Sequence, residues 1–501
     1  VIGIPIYPTM SAEDYAYVLE HSESKVFFVS NAELLAKART AQASLPGLQH
    51  LYTFDRVADQ AHWRDLLGRG SQGRGQLEAY KAAVRGTDTA TIIYTSGTTG
   101  RPKGVMLTHN NILSNVEASA ERLPVERGAR AISFLPLCHI YERMLMYLYQ
   151  RAGMEVRFQE SLEELGARIR EACPHVFTAV PRLLEKIYDT ILAKGEALTG
   201  IKRRLFFWSL DLGERYTEKD RGTWYDLQLA IARKLVFSKW REALGGEVKC
   251  VASGSAALQP RLARIFNAAG IPLMEGYGLT ETSPVVSVND ARNDGLRFGS
   301  VGRPIRGVDV RIADDGEILI KGPNVMQGYY KQPDITAEVL QAEGWFHTGD
   351  IGELRDGFLY ITDRKKEMFK TSGGKYVAPQ PIENALKASR FIEQVMVIGE
   401  NRRFPAALVV PSFAFLKDYC ALKGIPYTGP EQAISDPVLH ARIFQDVEKV
   451  NAGLGHWEAI KKIALLPAEW TIDGGELTPS LKLKRKRILA KYEANVEALY
   501  R

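Results

Sequence analysis

The 501-residue sequence has little cysteine: Cys138, Cys173, Cys250 and Cys420 are scattered, and no two form a CxxC pair. That spacing excludes a disulfide framework and a zinc site built on cysteine pairs, and it points to a reducing compartment. No apolar run reaches the length of a membrane span, and no signal-peptide pattern is visible. Internal repeats and low-complexity tracts are also missing. Charge is close to balance, at +6 with a pI of about 8.9, which is far from the density of a dedicated nucleic-acid binder. Hydrophobic content of 45% and charged content of 25% are ordinary for a globular protein. The length exceeds what one core supports, so two or more domains are expected. The chain opens at Val1 inside an apolar segment, VIGIPIYP, without Met, and reads as cut at the front.

What is present is α/β in texture. Val1 to Ile6 reads as a strand, Pro8 to Ser11 as a turn and cap, Ala12 to His21 as a helix and Lys25 to Val29 as a strand. Ser71 to Gly75 is a Gly-rich break. Further strands are expected at Ala131 to Leu135, Glu155 to Phe158, His175 to Val180 and Val248 to Ser253, with helices between. From Val301 the texture changes to short strands with Gly and Asp turns. Val308 to Ile312 and Glu317 to Lys321, joined by Asp314-Asp315-Gly316, form a hairpin. A domain boundary is expected near Arg364 to Lys366, giving domains of 1–364 and 365–501.

The richest stretch is YTSGTTGRPKG, Tyr94 to Gly104. An apolar run, Thr91 to Tyr94, reads as a buried strand and opens into Thr95, Ser96, Gly97, Thr98, Thr99 and Gly100; Lys103 closes the loop. Thr108 then caps a helix over Asn110 to Leu123. Bare backbone N–H groups, four hydroxyls and one mobile cation suit a polyphosphate. The P-loop template fails, because Pro102 stands where its second glycine belongs. A plain surface turn is the competing reading.

In EGYGLTETSP, Glu275, Gly276, Tyr277, Gly278, Thr280 and Glu281 combine a ring able to stack on a purine, a hydroxyl and a carboxylate. Magnesium prefers such oxygen ligands, and Glu281 is the best candidate. Gly254, Ser255 and Ala256 follow a strand, and their small size would admit a flat ring. In GWFHTGD, Asp350 at a strand–loop junction could accept both ribose hydroxyls. Each string alone is more often a turn. A basic tail, LTPSLKLKR, closes the set; charge runs are usually solvated faces.

In this order the strings resemble the adenylate-forming superfamily, from near Val1 to Arg501. FLPLCHIYER (Phe134 to Arg143), FTAVPRLLEKIYD (Phe177 to Asp189) and TSGGKYVAPQPIE (Thr371 to Glu383) are most similar to long-chain fatty-acid CoA ligases. The resemblance implies a large N-terminal domain of layered α/β subdomains and a small mobile C-terminal α+β domain. It implies ATP, magnesium and coenzyme A as cofactors and a long-chain fatty acid as substrate. Thr95 to Gly100 with Lys103 would wrap the β- and γ-phosphates, and Gly254 to Ala256 and Tyr277 would flank adenine. Thr280 would touch the α-phosphate and Glu281 would hold the metal. Asp350, assisted by Arg364, would hold the ribose. His139 would sit where acyl and phosphate sites meet, unless it is a satisfied histidine at a strand end. Lys366 would be the hinge of a domain rotation. It would exchange Lys482, which serves adenylation, for the loop of Gly373, Gly374 and Lys375, which serves thioester formation. The family normally has a further N-terminal portion before the stretch matching Val1.

Two other functions stay open on the same residues: an acyl-AMP ligase loading a carrier protein, and a non-catalytic acyl- or nucleotide-binding relative. Lys202 to Arg241 has ten Lys or Arg against five Asp or Glu, with Phe206, Phe207, Trp208, Trp224, Phe237 and Trp240 interleaved. That is either a membrane-surface patch or, slightly favoured, a pair of amphipathic helices with core aromatics. No nucleic-acid partner is expected. The expected location is cytoplasmic, with the inner face of a membrane as an option, and a homodimer is one option for assembly.

Overall fold

The computed structural model describes residues 1–70, 74–95, 101–160, 164–292, 294–472, 474–478 and 482–501. The chain divides into two compact units: residues 1–310 with 319–347, and residues 311–318 with 348–501.

The first unit is built on a seven-stranded sheet. Its order is Arg303–Pro304, Val285–Val288, Leu273–Gly278, Cys250–Ser253, Val176–Ala179, Arg130–Ser133 and Glu155–Phe158. The last five run parallel to one another, and Val285–Val288 returns antiparallel. Parallel strands need crossover helices that cover both faces, which is why Val176–Ala179 is buried at every position. Phe177, Phe237, Phe266 and Ile265 are among the residues closing one face, and Ile140, Met144 and Tyr149 pack on the other. A second sheet of Gly328–Tyr329, Lys103–Thr108 and Thr89–Thr95 is antiparallel. Strands Val26–Val29 and His50–Thr53 pair in parallel beside the helix Ala12–His21.

Local chemistry accounts for the element ends. Ser11 caps Ala12–His21 and forms a reciprocal box with Asp14, while Thr108 and Asn111 do the same for His109–Ala120. Val1 to Ile6 is not a strand. Only Gly3 bridges Thr91, through Gly3 N to Ala90 O and Ile92 N to Gly3 O, because Pro5 and Pro8 remove donors that a ladder needs.

A four-stranded sheet takes Asp309–Ile312, Glu317–Lys321, Phe346–Arg355 and Phe358–Arg364 in that order. The first two flank the expected turn, which Asp315 braces by accepting from Glu317 N at 3.1 Å. In the second unit, Ile392–Ile398, Ala406–Pro411 and Lys462–Leu465 form a sheet of mixed direction. Helices Pro379–Leu386 and Pro437–Asn451 bury Ile382, Leu386, Ile443 and Val447 among the residues of one core.

Candidate active site

In an open parallel sheet, ligands bind beyond the carboxyl ends of the strands. That edge of the seven-stranded sheet carries three of the sequence motifs. After Cys250–Ser253 come Gly254, Ser255 and Ala256; Leu273–Gly278 ends in Glu275 to Gly278; and after Arg130–Ser133 comes the segment with His139. The register places Ser253 opposite Glu275. The carboxyl group of Glu275 then accepts from Leu258 N at 2.9 Å, anchoring the loop that begins at Gly254. Burial pushes the Glu275 carboxyl up to about 8, and this hydrogen bond draws it back only in part. Ser255 has a φ of +72°. The ring of Tyr141 faces Gly254, where a Cβ would lie 3.4 Å from Tyr141 Cζ. Gly278 admits no side chain at all, since a Cβ would fall 1.9 Å from Pro284 O.

His139 caps the helix Ile140–Ala152, with Nδ1 accepting from Tyr141 N at 3.2 Å. The residue is thus a helix start rather than a strand end. The cap occupies Nδ1 as an acceptor, so the neutral ring carries its proton on Nε2.

The phosphate-loop candidate connects two paired strands: Thr95 lies opposite Lys103 and Tyr94 opposite Gly104. Ser96, Gly97, Thr98, Thr99 and Gly100 lie outside the described residues. Lys103 Nζ stands 5.0 Å from the ring centroid of Tyr329, whose hydroxyl donates to Glu281 Oε1 at 3.0 Å. Burial first, and Glu281 second, raise the Tyr329 hydroxyl far above its ordinary value, so it remains a donor. Glu281 belongs to the 3-10 turn Thr280–Thr282, which is pinned through Met326 N to Glu281 O at 2.8 Å. Tyr329 therefore joins a cation and a carboxylate that the sequence sets far apart. Nothing in the string GYYKQPD marks it beforehand. Pairing of Tyr329 with Val105 delivers it.

Among the described residues, no three His, Cys, Asp or Glu side chains converge to hold a metal. A divalent cation at Glu281 would draw its other oxygens from elsewhere, which fits magnesium bound through one carboxylate and phosphates.

In the second unit, Asp350 lies inside the strand Phe346–Arg355, not at a strand–loop junction. Pairing has overtaken the turn that Gly349 suggested; Gly349 has φ +72°, and the register shifts between Ile351 and Gly352. Asp350 faces Arg364 directly, with Arg364 Nε 3.2 Å from Asp350 Oδ1. Lys366 is exposed in the turn that follows, whereas Lys365 is tied to Asp315 and Glu317 at 2.6 and 2.9 Å. Buried Asp363, just before this turn, is pushed up to about 7 by desolvation. Thr371, Gly373, Gly374 and Lys375 close a tight turn between Phe369–Lys370 and Tyr376–Val377, with Thr371 N bonded to Lys375 O at 3.0 Å.

Lys482 is exposed on a short antiparallel ladder. Thr478 N donates to Lys482 O at 2.8 Å, and Lys482 N to Thr478 Oγ1 at 3.0 Å. The expected rigid turn at Pro479, Ser480 and Leu481 lies outside the described residues. Beyond it, Ile488 is buried on its own unit but Leu489 is exposed.

A lysine, a tyrosine hydroxyl and a carboxylate thus gather where the chain leaves the carboxyl end of Leu273–Gly278, the edge at which open α/β sheets take their ligands. The chain belongs to the AMP-binding enzyme family: residues 1–330 match that family and residues 367–501 match the AMP-binding enzyme C-terminal domain. It is 36% identical to the long-chain-fatty-acid–CoA ligase FadD15 of Mycobacterium bovis, covering 100% of this chain and 84% of the relative. It is 33% identical to the peroxisomal long chain acyl-CoA synthetase 7 of Arabidopsis thaliana, covering 100% and 74%. In fold it is similar to the adenylation domain of a carboxylate reductase from Mycobacterium chelonae, with TM-score 0.74 and 23% identity over 100% of this chain and 76% of that one. It is also similar to an o-succinylbenzoate coenzyme A synthetase from Bacillus subtilis solved with ATP and magnesium, with TM-score 0.65 and 21% identity over 97% and 83%.

Proposed function

We propose that this chain activates a long-chain fatty acid with ATP and passes the acyl group to coenzyme A. The observation that carries the reading is the Lys103–Tyr329–Glu281 constellation, set in a chain whose full-length relatives are long-chain fatty-acid CoA ligases. A carboxylate oxygen attacks the α-phosphorus of ATP and pyrophosphate leaves. The thiolate of coenzyme A then attacks the acyl carbonyl and AMP leaves. The protein supplies position and charge rather than a covalent partner.

Lys103 offsets phosphate charge, and Thr280 contacts the α-phosphate. Magnesium, when bound at Glu281, supplies further neutralisation of the phosphates. Gly254 to Ala256 and Tyr277 receive the adenine, with Glu275 holding their loop. Asp350, oriented by Arg364, accepts the ribose hydroxyls. His139 meets the acyl carboxylate. The mobile portion starts at residue 365, with Lys366 as the hinge. Lys482 serves adenylation, and Gly373 to Lys375 replace it for thioester formation. An exposed lysine in a three-residue turn and an exposed lysine on a narrow ladder suit these roles.

The same reading places the enzyme at an anionic membrane surface. Phe206, Phe237 and Trp240 are core, as amphipathic helices require. Yet Trp224, Leu227, Ile231 and Leu235 are 70%, 53%, 43% and 50% exposed at helical spacing, and Lys202, Arg203, Arg204, Lys234 and Lys239 in the same stretch of chain are exposed as well. No helix among the described residues is long and apolar enough to cross a membrane. Binding to phosphatidylglycerol vesicles that is lost in Trp224→Ser/Leu235→Ser supports this placement; equal binding by parent and variant overturns it.

The test of the function is pyrophosphate release against a panel of carboxylic acids, with and without coenzyme A. Release with long-chain acids and acyl-CoA formation are expected. Adenylate formation without transfer to coenzyme A would indicate a carrier-protein ligase instead. ATP binding without pyrophosphate release would indicate a non-catalytic relative.

A further inference from the structure

Arg485 begins the helix Arg485–Lys491, three residues beyond Lys482, and its guanidinium is largely enclosed. It contacts three separate elements. Nε donates to Glu367 Oε2 at 3.3 Å, Nη2 to Glu383 Oε1 at 2.5 Å and Nη1 to Val397 O at 3.1 Å. Glu383, on the helix Pro379–Leu386, is buried and also accepts from Val397 N at 2.7 Å. Glu367 is the residue after Lys366, in the turn that leaves Phe358–Arg364; its N–H donates to Arg364 O at 2.9 Å.

The path from Arg485 to Lys482 is short and bonded throughout. Lys484 N donates to Glu476 O at 2.7 Å, Leu483 bridges Leu477, and Lys482 closes against Thr478. Ile488 then buries the helix in the core. One planar cation thus links the lysine-bearing tail, the core of the small unit and the turn after the hinge residue. Lysine could not do this, since a point charge on a single stem cannot present three donors in a fixed fork. Its surroundings are acidic: Asp363, Glu367 and Glu383 all act on the same group, with Lys387 acting on Glu383 from the helix.

We infer that Arg485 is a positioning residue that ties the Lys482 tail to the Lys366 turn, so that lysine and hinge move as one body. The inference rests on the roles proposed for Lys482 and Lys366. It goes beyond them in naming what transmits hinge motion to the lysine. If the link is broken at the Glu367 end, the small unit stays folded but Lys482 is no longer held at the angle that the hinge dictates. Adenylation then suffers while thioester formation, which does not use Lys482, is spared.

The test uses full-length protein carrying Glu367→Ala, Arg485→Lys or both, with Lys482→Ala as control. Acyl-adenylate formation is followed by pyrophosphate release, and thioester formation by supplying the acyl-adenylate with coenzyme A. In Glu367→Ala we expect kcat for adenylation to fall about tenfold to a hundredfold, the scale of a misplaced catalytic group. KM for ATP and the thioester step should stay near the parent values. The double variant should fall no further than Arg485→Lys alone. Equal losses in both half-reactions, or parent-like adenylation in folded Glu367→Ala, overturn the inference. If Arg485→Lys fails to fold, because Glu383 is left buried with a poor partner, Glu367→Ala decides alone. If Lys482→Ala itself adenylates normally, it is the underlying reading of Lys482 that fails.

Discussion

Replacing Glu275 by Gln should stabilise the protein, by an amount that grows as pH rises. The Glu275 side chain ends in the interior beside Leu258, with one hydrogen bond from Leu258 N at 2.9 Å. Desolvation raises its pKa from 4.5 to about 8. Because the folded value lies above the unfolded one, the folded protein keeps a proton that the unfolded chain has released. The stability this contributes is complete below 4.5 and disappears as pH climbs toward about 8. The gap of about 3.5 pH units, at about 1.4 kcal/mol each, puts the loss near 5 kcal/mol across the window. Gln still offers Leu258 N an acceptor and has nothing to titrate, so the variant should not show this slope. Parallel thermal melts from about pH 5 to about pH 8 test it. The chain has two units and need not unfold in one step, so the transition of the first unit is the one to follow. The melting temperature of Glu275→Gln minus that of the parent should widen by several degrees with rising pH. A difference that stays constant, or that moves in favour of the parent, would refute the argument that a buried carboxyl is held neutral here.

Four further outcomes are expected. Glu281→Ala should remove most magnesium-dependent pyrophosphate release while the fold survives, because the side chain is half-buried and bonded at its tip to Tyr329; normal release by a folded variant would dismiss the role. Asp350→Ala should weaken ATP binding by about one to two decades, the worth of charge-assisted hydrogen bonds at roughly 1.5–3 kcal/mol, as read by calorimetry. Lys366→Pro should spare adenylation and impair thioester formation, since proline holds φ near −65° in a turn that must take two forms; equal losses would remove Lys366 from the hinge. Lys482→Ala should abolish adenylate formation yet convert supplied acyl-adenylate to acyl-CoA, while Lys484→Ala and Lys486→Ala remain near normal in both assays.

Much of this protein is decided within a few residues of chain. Ser11 ahead of AEDYAYVLEH dictates a capped helix, and Asp314-Asp315-Gly316 between two apolar runs dictates a hairpin turn. In both cases the deciding contacts, Ser11 with Asp14 and Asp315 with Glu317, span at most three residues. Motif strings such as YGLTE carry their chemistry in residue type and spacing, so Glu281 and Lys103 are legible in the sequence itself.

Tertiary structure alone decided what stands between and behind those groups. Tyr329 reaches Glu281 across 48 residues because its strand pairs with Lys103–Thr108. His139 spends Nδ1 on a helix cap, which depends on where the chain turns after Arg130–Ser133. Asp350 lies within a ladder because Arg364 faces it, a pairing that local turn propensity at Gly349 could not foresee. Arg485 sits in a run of lysines and arginines whose composition suggests solvent, and only the fold around Glu367, Glu383 and Val397 encloses it. The physical division is between interactions closed by a few bonds of backbone, which propensity and capping chemistry determine, and those closed by strand register and core packing. In the second group, the free energy of the whole fold selects the partner.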